Sequence, residues 1–343
     1  MKHKKIGAFI LAVLLITSGS LFAGGGNRNG TAGATQLLIP VGARGIAMSG
    51  ATLTNSGGIE ALFWNPANVA RTENSVDVVF SHMDHIADIG VEYGAIAAKV
   101  GSFGSVALSI KTLDIGDIAT TTVDKPDGTG AFYSPQFSVI GLTYSSALSD
   151  RISVGLTMNY ISEKIDLVST TGVAFNIGIS YMNLANIDGF NLAIVIKNLG
   201  PQMKYDGAGL NVTANVPNFE RPTQFYRIDA AAFELPSTLE IGVGYNYDIN
   251  EYNSFQLVGA FENANFYADE YRLGAEYSYN DMVFVRGGYS LMPQVDDVDR
   301  IYGLTAGFGI KYNLGGADLT IDYAYREAQY FDASHIFAVG IGL

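Results

Sequence analysis

The chemistry this chain offers begins at His82-Met83-Asp84-His85, where two imidazoles and a carboxylate fall within four residues. Imidazole together with carboxylate suits a transition metal. His82, Asp84 and His85 are therefore a metal candidate, weighed against an exposed polar loop tip, and the loop tip is the expectation taken. Asp296-Asp297-Val298-Asp299 carries charge for calcium but lacks the EF-hand order and its glycine. The chain has no cysteine, which excludes disulfides and thiolate chemistry. No nucleophile elbow, phosphate loop, dinucleotide fingerprint or zinc spacing occurs. Besides His82 and His85, the only histidine beyond residue 23 is His335, on the outward parity of the last strand. The expectation is a protein that is not an enzyme, with no catalytic residue, no resident metal and no cofactor.

Composition says where such a chain lives. Lys2, Lys4 and Lys5 precede the apolar run 6–16 and the small residues up to Ala23, the pattern of a secretory signal peptide over residues 1–23. Losing those three lysines leaves 17 basic against 33 acidic residues, a net charge of −16, which speaks against nucleic-acid binding. Tyr (20) and Phe (19) far outnumber Trp (1), and no later stretch reaches the ~18 apolar residues of a membrane helix.

From residue 75 onward the hydrophobic period is two. Ile152, Val154, Leu156, Met158 and Tyr160 alternate with Ser153, Gly155, Thr157 and Asn159, and Val173 to Tyr181 and Tyr302 to Tyr312 do the same. The alternation predicts about fourteen strands, at 75–83, 89–100, 103–115, 134–146, 151–166, 170–184, 189–200, 236–248, 253–264, 270–280, 281–291, 300–313, 317–326 and 334–343. The connections alternate as well. The long ones, 114–133 and 199–235, follow odd strands, whereas Gly101-Ser102 and Asn280-Asp281 follow even ones. Short turns on one side and long loops on the other are the habit of an outer-membrane barrel with its short turns in the periplasm. Tyrosines cluster near strand ends (Tyr144, Tyr160, Tyr181, Tyr245, Tyr247, Tyr277, Tyr279, Tyr289, Tyr312, Tyr323, Tyr325), where an apolar ring with a polar tip suits a membrane boundary.

The opposite parity holds Glu240, Arg272, Glu276, Arg286, Lys311, Asp318, Asp322 and Arg326, with Asn246 and Asp248. Charge is tolerated toward the lumen and costly toward lipid. Two readings follow, a polar permeation path or ion pairs inside a plugged barrel. The same parity carries Gly242, Gly244, Gly274, Gly303, Gly307, Gly309, Gly340 and Gly342, which allow close backbone approach. The segment expected to approach is 24–74, rich in Gly and Ala, without strand alternation, and holding the only tryptophan, Trp64. It is expected to plug the lumen, with a short helix over 59–63 ending before Pro66. The expected organisation is signal peptide 1–23, plug 24–74 and barrel 75–343. Connection 199–235 carries Tyr205, Phe219, Phe225 and Tyr226, a candidate partner-binding loop or a cover over the barrel mouth.

Ala32-Gly33-Ala34, Gly42-Ala43-Arg44, Met48-Ser49-Gly50-Ala51 and above all Ala61-Leu62-Phe63-Trp64-Asn65-Pro66-Ala67 give the chain a resemblance to the PorV/PorQ family of outer-membrane proteins, within the FadL-like fourteen-stranded barrels. Trp64, Asn65, Pro66 and Ala67 match the family's aromatic-Asn-Pro-Ala plug motif. Ala47 and Ser49 stand where the family tends to have glycine, and Leu343 stands in place of a terminal aromatic. The resemblance implies an outer-membrane location in contact with lipid, and a role in protein secretion or surface attachment of the type 9 kind, with secretion-system proteins or exported cargo as partners. It equally implies two alternatives: a FadL-like channel for apolar small molecules, or a structural barrel.

Overall fold

A computed structural model describes residues 30–55, 57–214 and 224–343. The signal-peptide expectation and Phe219 lie outside these residues. Fourteen antiparallel strands form the wall. The first seven are β1 (Val76–Asp84), β2 (Gly90–Lys99), β3 (Ser105–Asp114), β4 (Gln136–Ala147), β5 (Ile152–Ile165), β6 (Val168–Tyr181) and β7 (Phe190–Leu199). The second seven are β8 (Thr238–Asn250), β9 (Asn253–Ala264), β10 (Glu270–Tyr279), β11 (Val283–Leu291), β12 (Tyr302–Asn313), β13 (Asp318–Ala328) and β14 (Ser334–Gly342). Each pairs with its neighbours in chain order, and β1 pairs with β14 (Val78↔Ile341, Phe80↔Val339), which closes the sheet. Closure removes the two edges that hydrocarbon cannot satisfy. No helix among the described residues is long and apolar enough to cross a membrane.

Alternation decides the faces. Phe308 and Ile321 point outward, 52% and 50% exposed, while their neighbours Thr305 and Asp322 are buried inside. Tyr144, Tyr160, Tyr247, Tyr277, Tyr279, Tyr289 and Tyr312 belong to this exposed outer surface. At Asn280-Asp281 both residues adopt left-handed φ (55° and 52°), inside a three-residue connection that ends at Met282 and leaves Tyr279 paired with Val283. Strand β11 therefore begins at Val283, two residues later than its alternation suggests. Strand β6 begins two residues earlier than expected, because Asp166-Leu167 closes a tight hairpin with β5. The long connections are not structureless. A small bridge joins Ile118–Ala119 to Phe132–Tyr133, and a ribbon pairs Asn211–Ala214 with Gln224–Arg227.

The segment before β1 runs through the lumen as short pieces, α1 (Ala43–Ala47), α2 (Ala61–Trp64) and a 3-10 turn over Pro66–Arg71. It touches the wall where the wall has no side chain. A Cβ on Gly155 would strike the Pro66 backbone, and one on Gly178 would strike Asn65. Gly242 and Gly244 face Leu53 and Thr54, Gly274 faces Met48, Gly307 faces Ala47, and Gly342 faces Asn74. Three expected contacts are not made: Gly309 is filled by Asp322 and Arg286, while Gly303 and Gly340 meet only wall residues. The main apolar core lies inside the barrel, and Val41, Ile46, Met48, Leu53, Leu62, Trp64 and Val69 contribute to it.

Candidate functional site: the lumen and the outer mouth

Trp64 is 4% exposed and lies between two glycines of its own segment, since a Cβ on Gly45 or Gly50 would enter the indole. Phe63 meets it edge to face with ring centroids 5.0 Å apart, and the Lys197 ammonium stands 5.3 Å from its ring. Asn65 leaves the helical region (φ −152°, ψ 104°), as a residue before proline must. Its side chain then ties together two stretches of the segment. Oδ1 accepts from the Ala67 N–H (3.0 Å), and Nδ2 donates to the Leu53 carbonyl (2.9 Å), which also accepts from Asn68 Nδ2 (2.9 Å). Ser145 Oγ on β4 donates to the Ala67 carbonyl (3.0 Å) and so ties the motif to the wall.

The inward charges form networks that bind the segment. Arg44 of α1 makes a bidentate pair with Glu276 (2.9 Å for each bond), and Arg286 donates to the same carboxylate (2.5 Å) and to Asp322. Toward the long loops, Glu240 holds Lys197 at 2.8 Å and Arg272 at 3.3 Å, and Arg272 also pairs with Glu262 and Glu270. Lys311 and Asp318 pair at 2.9 Å beside a short turn. Arg326 stacks on Tyr302, 3.4 Å from the ring centroid. The eight expected lumen charges are thus gathered mainly into ion pairs. Lys197, Glu262 and Glu270 were findable by strand parity, whereas Arg44 becomes visible as a partner only when the segment enters the barrel.

Among the described residues two cavities bear on the contact between segment and wall. One of about 470 Å³ lies toward the short turns and is lined by Arg44, Glu60, Arg71, Arg286, Lys311 and Asp322 among others. The other, about 100 Å³, lies toward the long loops and is lined by Phe63, Trp64, Lys197, Glu240, Arg272 and Arg326 among others. Strand β12 passes both. Thr305 lines the smaller cavity, Gly307 abuts Ala47, and Gly309 adjoins the Arg286–Asp322 pair of the larger one. Helix α1 stands between the two. It is pinned there by Thr305 Oγ1, which donates to the Ala47 carbonyl (2.9 Å) and accepts from the Ser49 N–H (3.1 Å). Ser49 keeps a left-handed φ of 52°, so serine holds the backbone that glycine would adopt freely. Ala47 is fully buried against Gly307, which leaves room for its methyl group.

At the outer mouth His85 is separated from the other two metal candidates, His82 and Asp84. His82 contacts Glu92 through Nδ1 (2.5 Å) and Asp84 through Nε2 (3.1 Å), whereas His85 stacks on Tyr302 with centroids 6.4 Å apart. Burial holds the His85 imidazole down to about 4, with the charges of Arg326 and Lys111 acting in the same direction. Among the described residues no group of three or more His, Cys, Asp or Glu converges to hold a metal ion. In the long loop, Tyr205 turns back. Its hydroxyl donates to Glu163, whose other oxygen accepts from Gln36 Nε2 (2.7 Å), and its ring packs on Phe233. Phe225 (82% exposed) and Tyr226 remain on the outer surface.

Solved structures share this architecture at low identity. The CymD monoaromatic hydrocarbon channel superposes with a TM-score of 0.55 at 13% identity, covering 89% of this chain and 97% of its own. The toluene transporter TodX of Pseudomonas putida gives 0.51 at 12% identity, covering 88% and 96%. At such identity the likeness is one of fold. No curated protein matches the chain in sequence. The family description "Type IX secretion system protein PorV" matches residues 23–225, more than half of the chain. With its closed fourteen-stranded barrel and the Trp64-Asn65-Pro66-Ala67 turn inside it, the chain belongs to the PorV family of outer-membrane β-barrel proteins.

Proposed function

We propose that this barrel serves type IX protein secretion as a docking component, with residues 24–74 as a plug that keeps the lumen shut and the outer loops as the contact surface for secretion-system proteins or exported cargo. The observation that carries the reading is the outer ribbon Asn211–Ala214/Gln224–Arg227. Every described residue of it is exposed or half-exposed, and it presents Phe225, Tyr226 and Val212 to the outside. A two-stranded ribbon is marginal in water on its own, and exposed aromatic side chains are the residues that protein interfaces favour. The second long connection adds Phe132 and the wholly exposed Val123 on the same side. The interposed helix α1 and the ion pairs that line both cavities support docking over passage of apolar molecules. Deleting 207–225 is expected to abolish co-purification of outer-membrane partners from the native membrane while the barrel keeps its heat-modifiable mobility on gels, since outer loops tolerate deletion. Retained co-purification together with lost uptake of an apolar compound such as toluene would refute docking and favour a channel.

A further inference from the structure

The wall is not evenly laced. Between β6 and β7 the ladder runs from Tyr181↔Leu192 only as far as Phe175↔Leu199. A register shift near Asn198 (φ 59°) and the Gly200-Pro201 pair then lead β7 away from its neighbour. Bulges commonly end pairing in this way. Strand β6 continues outward, paired with β5 along its whole length, yet on its other side only Asp206–Gly207 rejoin it, at Ser169 and Val168.

The direction of the open groups follows from parity. Leu167 turns its carbonyl to this side, accepting from the Gly209 N–H (3.2 Å), and a Cβ on Gly200 would meet the Val173 carbonyl. Thr171, even steps from both, must turn its N–H and C=O the same way. Among the described residues the Thr171 backbone takes part in no hydrogen bond on that side, and the residue is exposed. Thr171 lies opposite Ser162, one non-apolar pair beyond Tyr160↔Val173 at the tyrosine boundary, so the open rung faces the outer medium and not lipid. Met203 against Gly172 and Leu235 against Gly200 seal the gap from within.

We infer that β6 between Ser169 and Val173 is a strand-addition site for an extended segment of a partner polypeptide, which takes the place of Asp206–Gly207 and closes the open rung at Thr171. The chemistry selects the occupant: main-chain donors and acceptors in β geometry recognise an extended polypeptide backbone and little else. The two-residue Asp206–Gly207 pairing is the weakest strand contact of this wall and the one that displacement costs least. This deepens the docking reading above and rests on it for the partner's origin, not for the site's geometry.

The test uses the full chain in detergent and a fluorescent decapeptide of alternating Thr and Val, with an analogue N-methylated at alternate residues as the comparison. Proline at 171 removes an N–H that faces the gap and leaves the β5 ladder untouched, which edge positions accept. Binding is expected for the plain peptide and should fall about tenfold for the N-methylated one and about tenfold for Thr171→Pro. Hydrogen exchange on the unsubstituted protein guards against a misfolded variant: the Thr171 amide should exchange freely and become protected when the plain peptide is added. Equal binding of both peptides, undiminished binding to Thr171→Pro, or an amide already protected in the free protein would overturn the inference. If deletion of 207–225 abolishes native co-purification while the peptide shows none of these signatures, strand addition falls and docking stands. If the peptide shows them all and the deletion changes nothing, docking through the loop falls and the β6 site stands.

Discussion

Removing the Trp64 side chain tests the proposed plug most directly. The indole is buried, lies between Gly45 and Gly50, and lines the smaller cavity beside Lys197. Truncation of a buried Trp to Ala costs ~3–5 kcal/mol. That total already includes the edge-to-face contact with Phe63 and the cation–π contact with Lys197, which by themselves are worth about 0.5–2 kcal/mol each. Neither flanking glycine has a side chain to fill the hole, so little of the loss is recovered by collapse. The wall hydrogen bonds are made without Trp64, and the loss therefore falls on the equilibrium between a seated and a displaced segment. At tenfold per 1.4 kcal/mol, the displaced population rises by roughly a hundredfold to a few thousandfold. Trp64→Ala should keep heat-modifiable mobility on gels and show higher single-channel conductance in planar bilayers than the unsubstituted protein. Because Trp64 is the only tryptophan, its emission reports the seat without labelling, and it should be blue-shifted and poorly quenched by iodide. A red-shifted, freely quenched Trp64 in the folded barrel, or unchanged conductance in Trp64→Ala, would refute the plug.

The remaining expectations concern the wall, the contact of segment with wall, and pH. Leu156→Lys puts a charge on the lipid face and should cost about 2–4 kcal/mol in refolding titrations into liposomes, whereas Thr320→Lys points into the larger cavity and should be nearly neutral. Equal costs would refute the facing. Gly155→Val drives a side chain into the Pro66 backbone and should destabilise by roughly 1–3 kcal/mol, measured as a lower urea midpoint, while Gly94→Val, on the outward face and meeting only Ile110 at 3.8 Å, should change the midpoint little. Burial, reinforced by the Asp322 charge against the opposing pull of Arg44 and Arg286, raises the Glu60 carboxyl from 4.5 to about 7. A raised acid disfavours the folded seat when ionised, so the segment should be held most firmly below about pH 4.5 and less firmly as pH rises through 7. Iodide quenching of Trp64 should rise between pH 5 and 8, and Glu60→Gln should flatten that rise.

What sequence alone determined is what period and turn chemistry determine. A strand presents alternate residues to opposite faces, so Val154, Leu156 and Met158 declare an outward face without any neighbour being known. Asn280-Asp281 declares its turn because few other residues tolerate two left-handed φ angles in succession. The Asn65-Pro66 step declares where α2 must stop, and the strand count, the short-turn side and the inward charges follow from the same local rules. Three features were decided only in three dimensions. Arg44 has no local mark as the partner of Glu276, because an ion pair across 232 residues depends on where the segment comes to rest. Tyr205 and Phe225 look alike in a long polar loop, yet one bonds to Glu163 and the other stays exposed, because which of them meets the wall depends on the path of the loop and not on residue type. The open rung at Thr171 arises between two strands that each read as regular, since hydrogen-bond pairing belongs to the register of neighbours and not to either strand by itself.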